Sequence, residues 1–284
     1  MSINGITTIN IELTSRCNKH CWMCGRRKID RDYPELVLNY GDMEFELVEK
    51  IAHELPNGIT VQLHNNGESL LYPRFGDAVR LLNKNITNVV TNGKLLLEKS
   101  DEIIDNLDTM TVSIFEEDKE ADEQYEILTK FLRLKGDRKP LMILRLNGNI
   151  KNEERYKELN LICAKRTLHA PEGSFNYRLD PTVPEIGVCL DFLHHPAINK
   201  DGDFSICVRF DPKRLGVLCN IKSESISKIW KGIKRNEWLN CHLQGNRNSV
   251  PLCSYCHYWG VPTGGLTTNI KHIDLTEVSN NWNK

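Results

Sequence analysis

From Ile6 onward the chain alternates short β-prone runs with amphipathic segments, and the first β-prone runs each end in a polar loop. Residues 6–13 set Ile9, Ile11 and Leu13 alternately with polar residues and read as a strand. Thr14 and Ser15 then lead into CNKHCWMC. In VQLHNNGESLL a second strand, 59–63, is followed by Gly67 and Glu68; in NVVTNGKLL a third, 87–90, is followed by Thr91, Asn92 and Gly93. Helices fit between and after them. Residues 44–55 carry Phe45, Val48, Ile51 and Ala52 at helical spacing with acids between, and 75–82, 101–107 and 125–134 are further helices. Strands at 110–115, with Ser113, and 140–146, with Arg145, continue the series. Roughly six β/α units fit before Cys189, which predicts an α/β fold of partial-barrel type with its chemistry at the carboxyl ends of the strands.

The cysteines divide into two groups. Cys17, Cys21 and Cys24 have C-x3-C-x2-C spacing in the loop after the first strand. Thiolates are the usual protein ligands of iron–sulfur clusters, and three in one loop leave one iron of a four-iron cube open. Zinc is the rival, because His20 lies inside the loop and a closed zinc site needs a fourth ligand. The second group is Cys189, then Cys207 after a tight turn at Asp201, Gly202 and Asp203 and a strand at 204–206, then the C-x2-C pair Cys253 and Cys256 opened by Pro251. Four cysteines hold zinc or a 4Fe-4S cluster, and ligand type does not choose between them. Three cysteines remain. Cys163, in LNLICAK, reads as a small buried hydrophobe on a helix. Cys219 sits at a turn-like position before Asn-Ile, and Cys241 precedes the polar loop HLQGNRNS.

Composition excludes several classes. With 37 Lys and Arg against 38 Asp and Glu the net charge is −1, so no basic field directs the chain to nucleic acid. The local cluster Arg26, Arg27, Lys28 and Arg31 faces either an anionic substrate or water. No long apolar run or signal sequence appears, so a cytoplasmic enzyme is expected, outside the membrane, in which clustered cysteines bind metal.

On the CNKHCWMC loop and the Gly67-Glu68 pair the chain resembles the radical S-adenosylmethionine (SAM) superfamily. That resemblance implies a 4Fe-4S cluster on Cys17, Cys21 and Cys24 whose open iron is chelated by SAM, and a 5′-deoxyadenosyl radical formed by one-electron reduction. It implies an electron donor such as flavodoxin or ferredoxin. Trp22 matches the aromatic that commonly precedes the third cysteine, and Glu68 the acceptor of the methionyl amine. Asn92 and Ser113 fall where the ribose or methionyl carboxylate is met, and Arg145, in the apolar run LMILRLNG, where a carboxylate clamp or a substrate-shaping group is expected. His64 and Asn66 point from the second strand end toward the same cavity.

The stretch from Cys189 to Tyr258, with DGD, LGVLCNI, ISKIW and PLCSYC in order, resembles the twitch domain, a short form of the SPASM domain. The resemblance implies one auxiliary 4Fe-4S cluster on Cys189, Cys207, Cys253 and Cys256, with Ile221 and Trp230 as packing residues. It divides the chain into a partial (β/α)6 barrel at 1–185, a twitch-type domain at 186–265 and a tail at 266–284. Members of this compact build include the 2-deoxy-scyllo-inosamine dehydrogenase and the neomycin C epimerase, which act on amino-sugar-like substrates. The reaction then turns on the spare thiols. Cys241, or else Cys219, as hydrogen donor makes the enzyme an epimerase of a carbohydrate-like centre, the preferred expectation. Electron loss to the auxiliary cluster makes it a dehydrogenase, and modification of a ribosomal peptide is the third course. An iron–sulfur or zinc protein without SAM chemistry is the non-enzymatic alternative.

Overall fold

The computed structural model describes residues 5–36, 39–117, 119–166, 188–254 and 256. The expected boundary near residue 185, Tyr258 and the tail at 266–284 lie outside them.

Six parallel strands carry the first part: β1 Thr8–Ile11, β2 Thr60–Gln62, β3 Ile86–Thr91, β4 Thr109–Ile114, β5 Leu141–Asn147 and β6 Ile162–Arg166. Helices alternate with them: α1 Gly25–Asp32, α2 Phe45–Glu54, α3 Phe75–Leu81, α4 Ser100–Ile103, α5 Ala121–Lys135 and α6 Glu153–Lys157. Alternation decides what each sheet face does. Ile9, Ile11, Val61, Val89, Met110, Val112 and Leu144 are fully buried on one face, in one core with Val48 and Ile51 of α2, Phe75 of α3, and Leu128 and Phe131 of α5. The opposite face is polar. Asn10 stands opposite Gln62, Gln62 opposite Asn88, Asn88 opposite Thr109, and Ser113 opposite Arg145. A parallel sheet covered on both faces reads apolar throughout, so this second row suits a ligand cavity rather than a core.

The sheet continues past β1 on its other side. The strand order is β6-β5-β4-β3-β2-β1-β7-β8-β9, with β7 Ala197–Ile198 parallel to β1, and β8 Asp203–Ser205 and β9 Val217–Asn220 antiparallel. The cysteine-rich C-terminal region is therefore joined to the barrel edge by backbone hydrogen bonds. Gly202 turns the β7–β8 hairpin at φ +90°, where a Cβ would stand 3.0 Å from Asn220 Oδ1. Helices α7 Leu190–His194, α8 Ile226–Trp230, α9 Ile233–Leu243 and α10 Pro251–Ser254 complete it. Trp230 packs edge-on against Phe204, their ring centroids 6.1 Å apart.

Two cysteine placements differ from the sequence reading, and the third spare cysteine lies in a helix. Cys163 is in strand β6, opposite Leu144, not in a helix. Its short run is too brief for periodicity to separate helix from strand, and pairing with β5 decides. Cys219 is in strand β9 opposite Phe204, not on a turn. Cys241 lies in the last turn of α9, so the polar loop begins later than its composition suggests. The helix expected at 101–107 is the four-residue α4, followed by Asp105 at φ 64°, a left-handed conformation that ends helical geometry. No described helix is long and apolar enough to cross a membrane.

Candidate active site and auxiliary cysteine site

The loop after β1 carries Cys17, Cys21 and Cys24, all half-buried; among the described residues no three such side chains converge on one ion position, so holding a cluster would require these thiols to turn toward one another. Cys24 N–H donates to Cys21 O at 3.1 Å, and Cys24 occupies the cap position before α1. The positive end of that helix favours a negatively charged cluster. Burial pushes the Cys17 thiol above its ordinary pKa, opposed by the Lys19 backbone N–H and raised further by Glu68. Arg26 and Arg27 brace this loop. Arg26 donates to Asn66 O at 3.2 Å and lies over the Tyr40 ring, and Arg27 donates to Lys19 O at 3.3 Å. Trp22 is exposed.

Gly67 and Glu68 dock the second loop onto the first. Glu68 N–H donates to Arg16 O at 2.8 Å. A Cβ on Gly67 would run into Thr14 O and stand 2.8 Å from Arg16 O and 2.9 Å from Ser15 Cα, so only glycine permits this approach. Glu68 is 2% exposed. Its Oε1 accepts from Thr91 Oγ1 at 2.8 Å and Leu70 N at 3.2 Å, and its Oε2 from Asn92 N at 2.7 Å. It thus ties the second loop to the third, while burial pushes its carboxyl pKa up against those three donors. A carboxylate has about four lone-pair sites, which leaves one for a ligand. Asn92 Nδ2 reaches back to Asn18 Oδ1 at 2.8 Å and Cys17 Sγ at 3.9 Å. Gln124 donates to Asn92 O at 2.5 Å and Ser113 O at 2.9 Å. Arg145 is half-buried beside Ser113, and among the described residues its guanidinium has no hydrogen-bonding or ionic partner; burial lowers its pKa.

The second cysteine group lines one small cavity. Cys189, Cys207, Cys253 and Cys256 surround it with Asp191, Phe192, Ile206, Arg209 and Leu252. Arg247 Nη1 donates to Cys253 O at 2.9 Å and Cys256 O at 3.2 Å, clasping the C-x2-C turn. Burial pushes the Cys207 thiol well above its usual range, with Asp191 adding to it, and burial likewise raises Cys253. Such thiols hold their protons until a metal displaces them. The cavity is only about 20 Å³, and among the described residues no three His, Cys, Asp or Glu side chains converge on one ion position, so seating a cluster requires the thiols to rotate. Four sulfur donors around one enclosed space fit a cluster by donor chemistry.

A wider cleft of about 380 Å³ adjoins the auxiliary cavity at Cys207; Cys17, Cys21 and Cys24 do not line it. Its walls are the loops after β1 and β2, with Ser15, Asn65 and Asn66, and the C-terminal hairpin, with Asn199, Ser205 and Arg214. Cys207 and Arg209 line both cavities. Neither Cys219 nor Cys241 lines the cleft: Cys219 packs at the edge of the barrel core, with Sγ 3.7 Å from Ser223 Oγ, and Cys241 against the auxiliary cysteines. His64 meets Asn10 Nδ2 at 3.4 Å on the polar sheet face.

Two features escape sequence reasoning. Glu12, just past β1, is 3% exposed and lines the cleft. A buried polar chain also leads from Asn10, whose Oδ1 accepts from His195 Nε2 at 2.7 Å, to Asp191 at 3.5 Å from His195 and Arg209 at 3.7 Å from Asp191. The only signal for Glu12 is its place on the polar side of the β1 alternation.

The SPASM iron–sulfur cluster-binding domain family matches residues 189–257, which includes all four auxiliary cysteines. Residues 189–257 are thus a SPASM-type iron–sulfur cluster-binding domain. The chain superposes on BtrN in complex with AdoMet and 2-DOIA with a TM-score of 0.55 at 18% identity, covering 90% of this chain and 95% of that one. For anSMEcpe with bound AdoMet the TM-score is 0.62 at 13% identity, covering 92% and 93%. For Streptococcus suis SuiB bound to precursor peptide SuiA it is 0.59 at 13% identity, covering 89% and 71%. These likenesses carry the fold. In sequence, the chain is 32% identical over 109 residues to the tungsten-containing aldehyde ferredoxin oxidoreductase cofactor-modifying protein of Pyrococcus furiosus, which is 37% of this chain and 28% of that protein's length.

Proposed function

We propose that this chain is a radical SAM dehydrogenase that removes a carbon-bound hydrogen from a small polar substrate held in the cleft that adjoins the auxiliary cysteines and the loops after β1 and β2. The observation that carries the reading is Cys207, which lines both the cleft and the auxiliary cavity. In this reading Cys17, Cys21 and Cys24 hold the SAM-binding 4Fe-4S cluster, and Cys189, Cys207, Cys253 and Cys256 hold a second. With SAM bound, the first cluster supplies the radical chemistry and the second an electron acceptor.

The chain's residues supply placement. Gly67 lets the second loop meet the cysteine loop, Glu68 and Asn92 fix the third loop beside Cys17, and Arg145 and Ser113 offer a cation and a hydroxyl on the polar sheet face. The unpaired guanidinium suits a carboxylate, such as the methionyl one. Epimerisation, expected from the spare thiols, needs a hydrogen donor at the substrate, and neither Cys219 nor Cys241 reaches the cleft wall. A carbohydrate-like molecule is the favoured substrate and a peptide the alternative, with a flavodoxin or ferredoxin as reductant.

The test is anaerobic assay of the reconstituted protein with SAM and dithionite. Formation of 5′-deoxyadenosine establishes SAM cleavage. A substrate turned over should yield a product two hydrogens lighter. A product of unchanged mass carrying one solvent deuterium from heavy water would replace the dehydrogenase reading with epimerisation.

A further inference from the structure

The charges lining the cleft do not balance. Asp203 pairs with Arg214 at 2.6 Å and Asp201 with Lys200 at 2.6 Å. Asp211 caps the Leu215 and Gly216 N–H groups at 2.9 and 2.7 Å, and Arg209 turns to Asp191, outside the cleft. That leaves Glu12 in the wall and Glu35, exposed, at the cleft edge, and among the described residues no cation pairs with either.

Glu12 is the informative one. Its Oε1 accepts from Asn66 N at 3.0 Å and its Oε2 from Lys200 N at 3.2 Å, so backbone groups from the barrel loop and the C-terminal hairpin orient it. The Asn66 side chain also donates to it, which leaves about one of its four acceptor sites open. The charge of Arg26 acts on it only from beyond ion-pair distance, so a buried carboxyl that has lost its water still gains from a cationic ligand in direct contact. Around it, Ser15, Asn66, Asn199 and Ser205 place hydroxyl and amide groups in the same wall, suited to polar ligand atoms.

We propose that Glu12 is the specificity-determining residue of the cleft and accepts a primary ammonium group of the substrate. This deepens the substrate side of the proposed function and rests on the cleft being the substrate site. A primary ammonium comes from an amino sugar or from a lysyl side chain, and the polar wall serves either.

The experiment uses the anaerobically reconstituted protein with SAM bound and two pairs of near-isosteric probes. Glucosamine is titrated against glucose, and Nα-acetyl-lysine amide against Nα-acetyl-norleucine amide, by ligand-observed NMR at neutral pH. The cationic member of at least one pair should bind tenfold or more tightly than its neutral twin, and the pair that discriminates identifies the source. Glu12→Gln should abolish that preference while iron content stays at the wild-type level. Equal binding within both pairs, or a preference that survives Glu12→Gln, overturns the assignment. Should Glu12→Gln fail to fold, the wild-type twin comparison decides, supported by a several-fold smaller loss of preference in Glu35→Gln. Loss of SAM cleavage in the wild type would instead count against the radical SAM reading itself, which keeps the two failures apart.

Discussion

Cys17, Cys21 and Cys24 come from a single loop and are half-buried, whereas Cys189, Cys207, Cys253 and Cys256 come from three separated segments, and three of the four are buried. The first group is positioned by backbone packing of two neighbouring loops, with Gly67 at the contact. The second is part of a small apolar cluster with Phe192, Ile206 and Val250, so its site exists only when the C-terminal region has closed. A locally encoded site tolerates loss of its metal, while a site assembled by tertiary folding shares its binding energy with the fold.

The largest effect should come from dividing the two groups by mutation. The Cys17→Ala, Cys21→Ala, Cys24→Ala variant should fall from about eight irons to about four and lose SAM cleavage entirely, with little change in melting temperature. The Cys189→Ala, Cys253→Ala variant should also lose about half its iron but drop by about 3 kcal/mol or more in apparent stability. Iron analysis and denaturant melts under anaerobic conditions measure both. Equal destabilisation by the two variants would break the contrast.

Two glycines sharpen it. A methyl on Gly67 meets backbone at Thr14, Ser15 and Arg16, which cannot turn aside. A methyl on Gly216 meets Leu252 Cδ2 at 2.5 Å and Ser205 Oγ at 2.9 Å, both side-chain ends that can rotate. Gly67→Ala should therefore lower first-cluster loading and SAM cleavage at least tenfold and leave the auxiliary cluster in place. Gly216→Ala should cost about 1–3 kcal/mol of stability and retain both clusters. Spectroscopic quantitation of each cluster checks the pair.

Glu68 tests whether the first site is held by local bracing or by its ligand. Glu68→Gln puts an amide donor against Asn92 N–H or Thr91 Oγ1 and should weaken SAM binding by about 2 kcal/mol, roughly thirtyfold, with iron unchanged. Thr91→Val removes one bracing bond but keeps the carboxylate. If the remaining lone pair takes the methionyl amine, Thr91→Val should cost several-fold less in a calorimetric titration of SAM. Equal losses would make Glu68 a brace alone.

What was legible in the sequence follows the same division. The parallel strands show as alternation because one sheet face is a continuous core, and Ile9, Ile11 and Leu13 mark it within one short run. The cysteine loop is legible because its ligands are neighbours in the chain. Cys163 and Cys219 are not legible locally because their elements are settled by partners distant in sequence, β5 and β8. The two-residue β7 carries no periodicity, yet it joins the hairpin to β1. Glu12 is hidden for a related reason. Its alternation marks only a polar position, and groups distant in sequence, the Asn66 N–H of the loop after β2 and the Lys200 N–H of the C-terminal hairpin, meet it there.

The smallest expected effect concerns acid sensitivity, which the contrast places in the C-terminal region. His242 in α9 is fully buried and stacked on Phe192, with centroids 4.7 Å apart, and burial, helped by Arg247, lowers its pKa from 6.5 to about 4. The unfolded chain therefore takes up a proton that the folded chain refuses. The stability linked to His242 is complete above pH 6.5 and is lost as the pH falls toward 4. Between pH 7.5 and 5.5 this should remove about 1–2 kcal/mol, read from urea unfolding of the C-terminal region. His242→Phe keeps an aromatic ring against Phe192 and cannot be protonated, so its stability should change less over that interval. Half-buried thiols in the cysteine loop carry no such linkage through His242, and first-cluster spectra should not follow this titration. An unchanged pH slope in His242→Phe would move the acid sensitivity to another group and remove this distinction between the two regions.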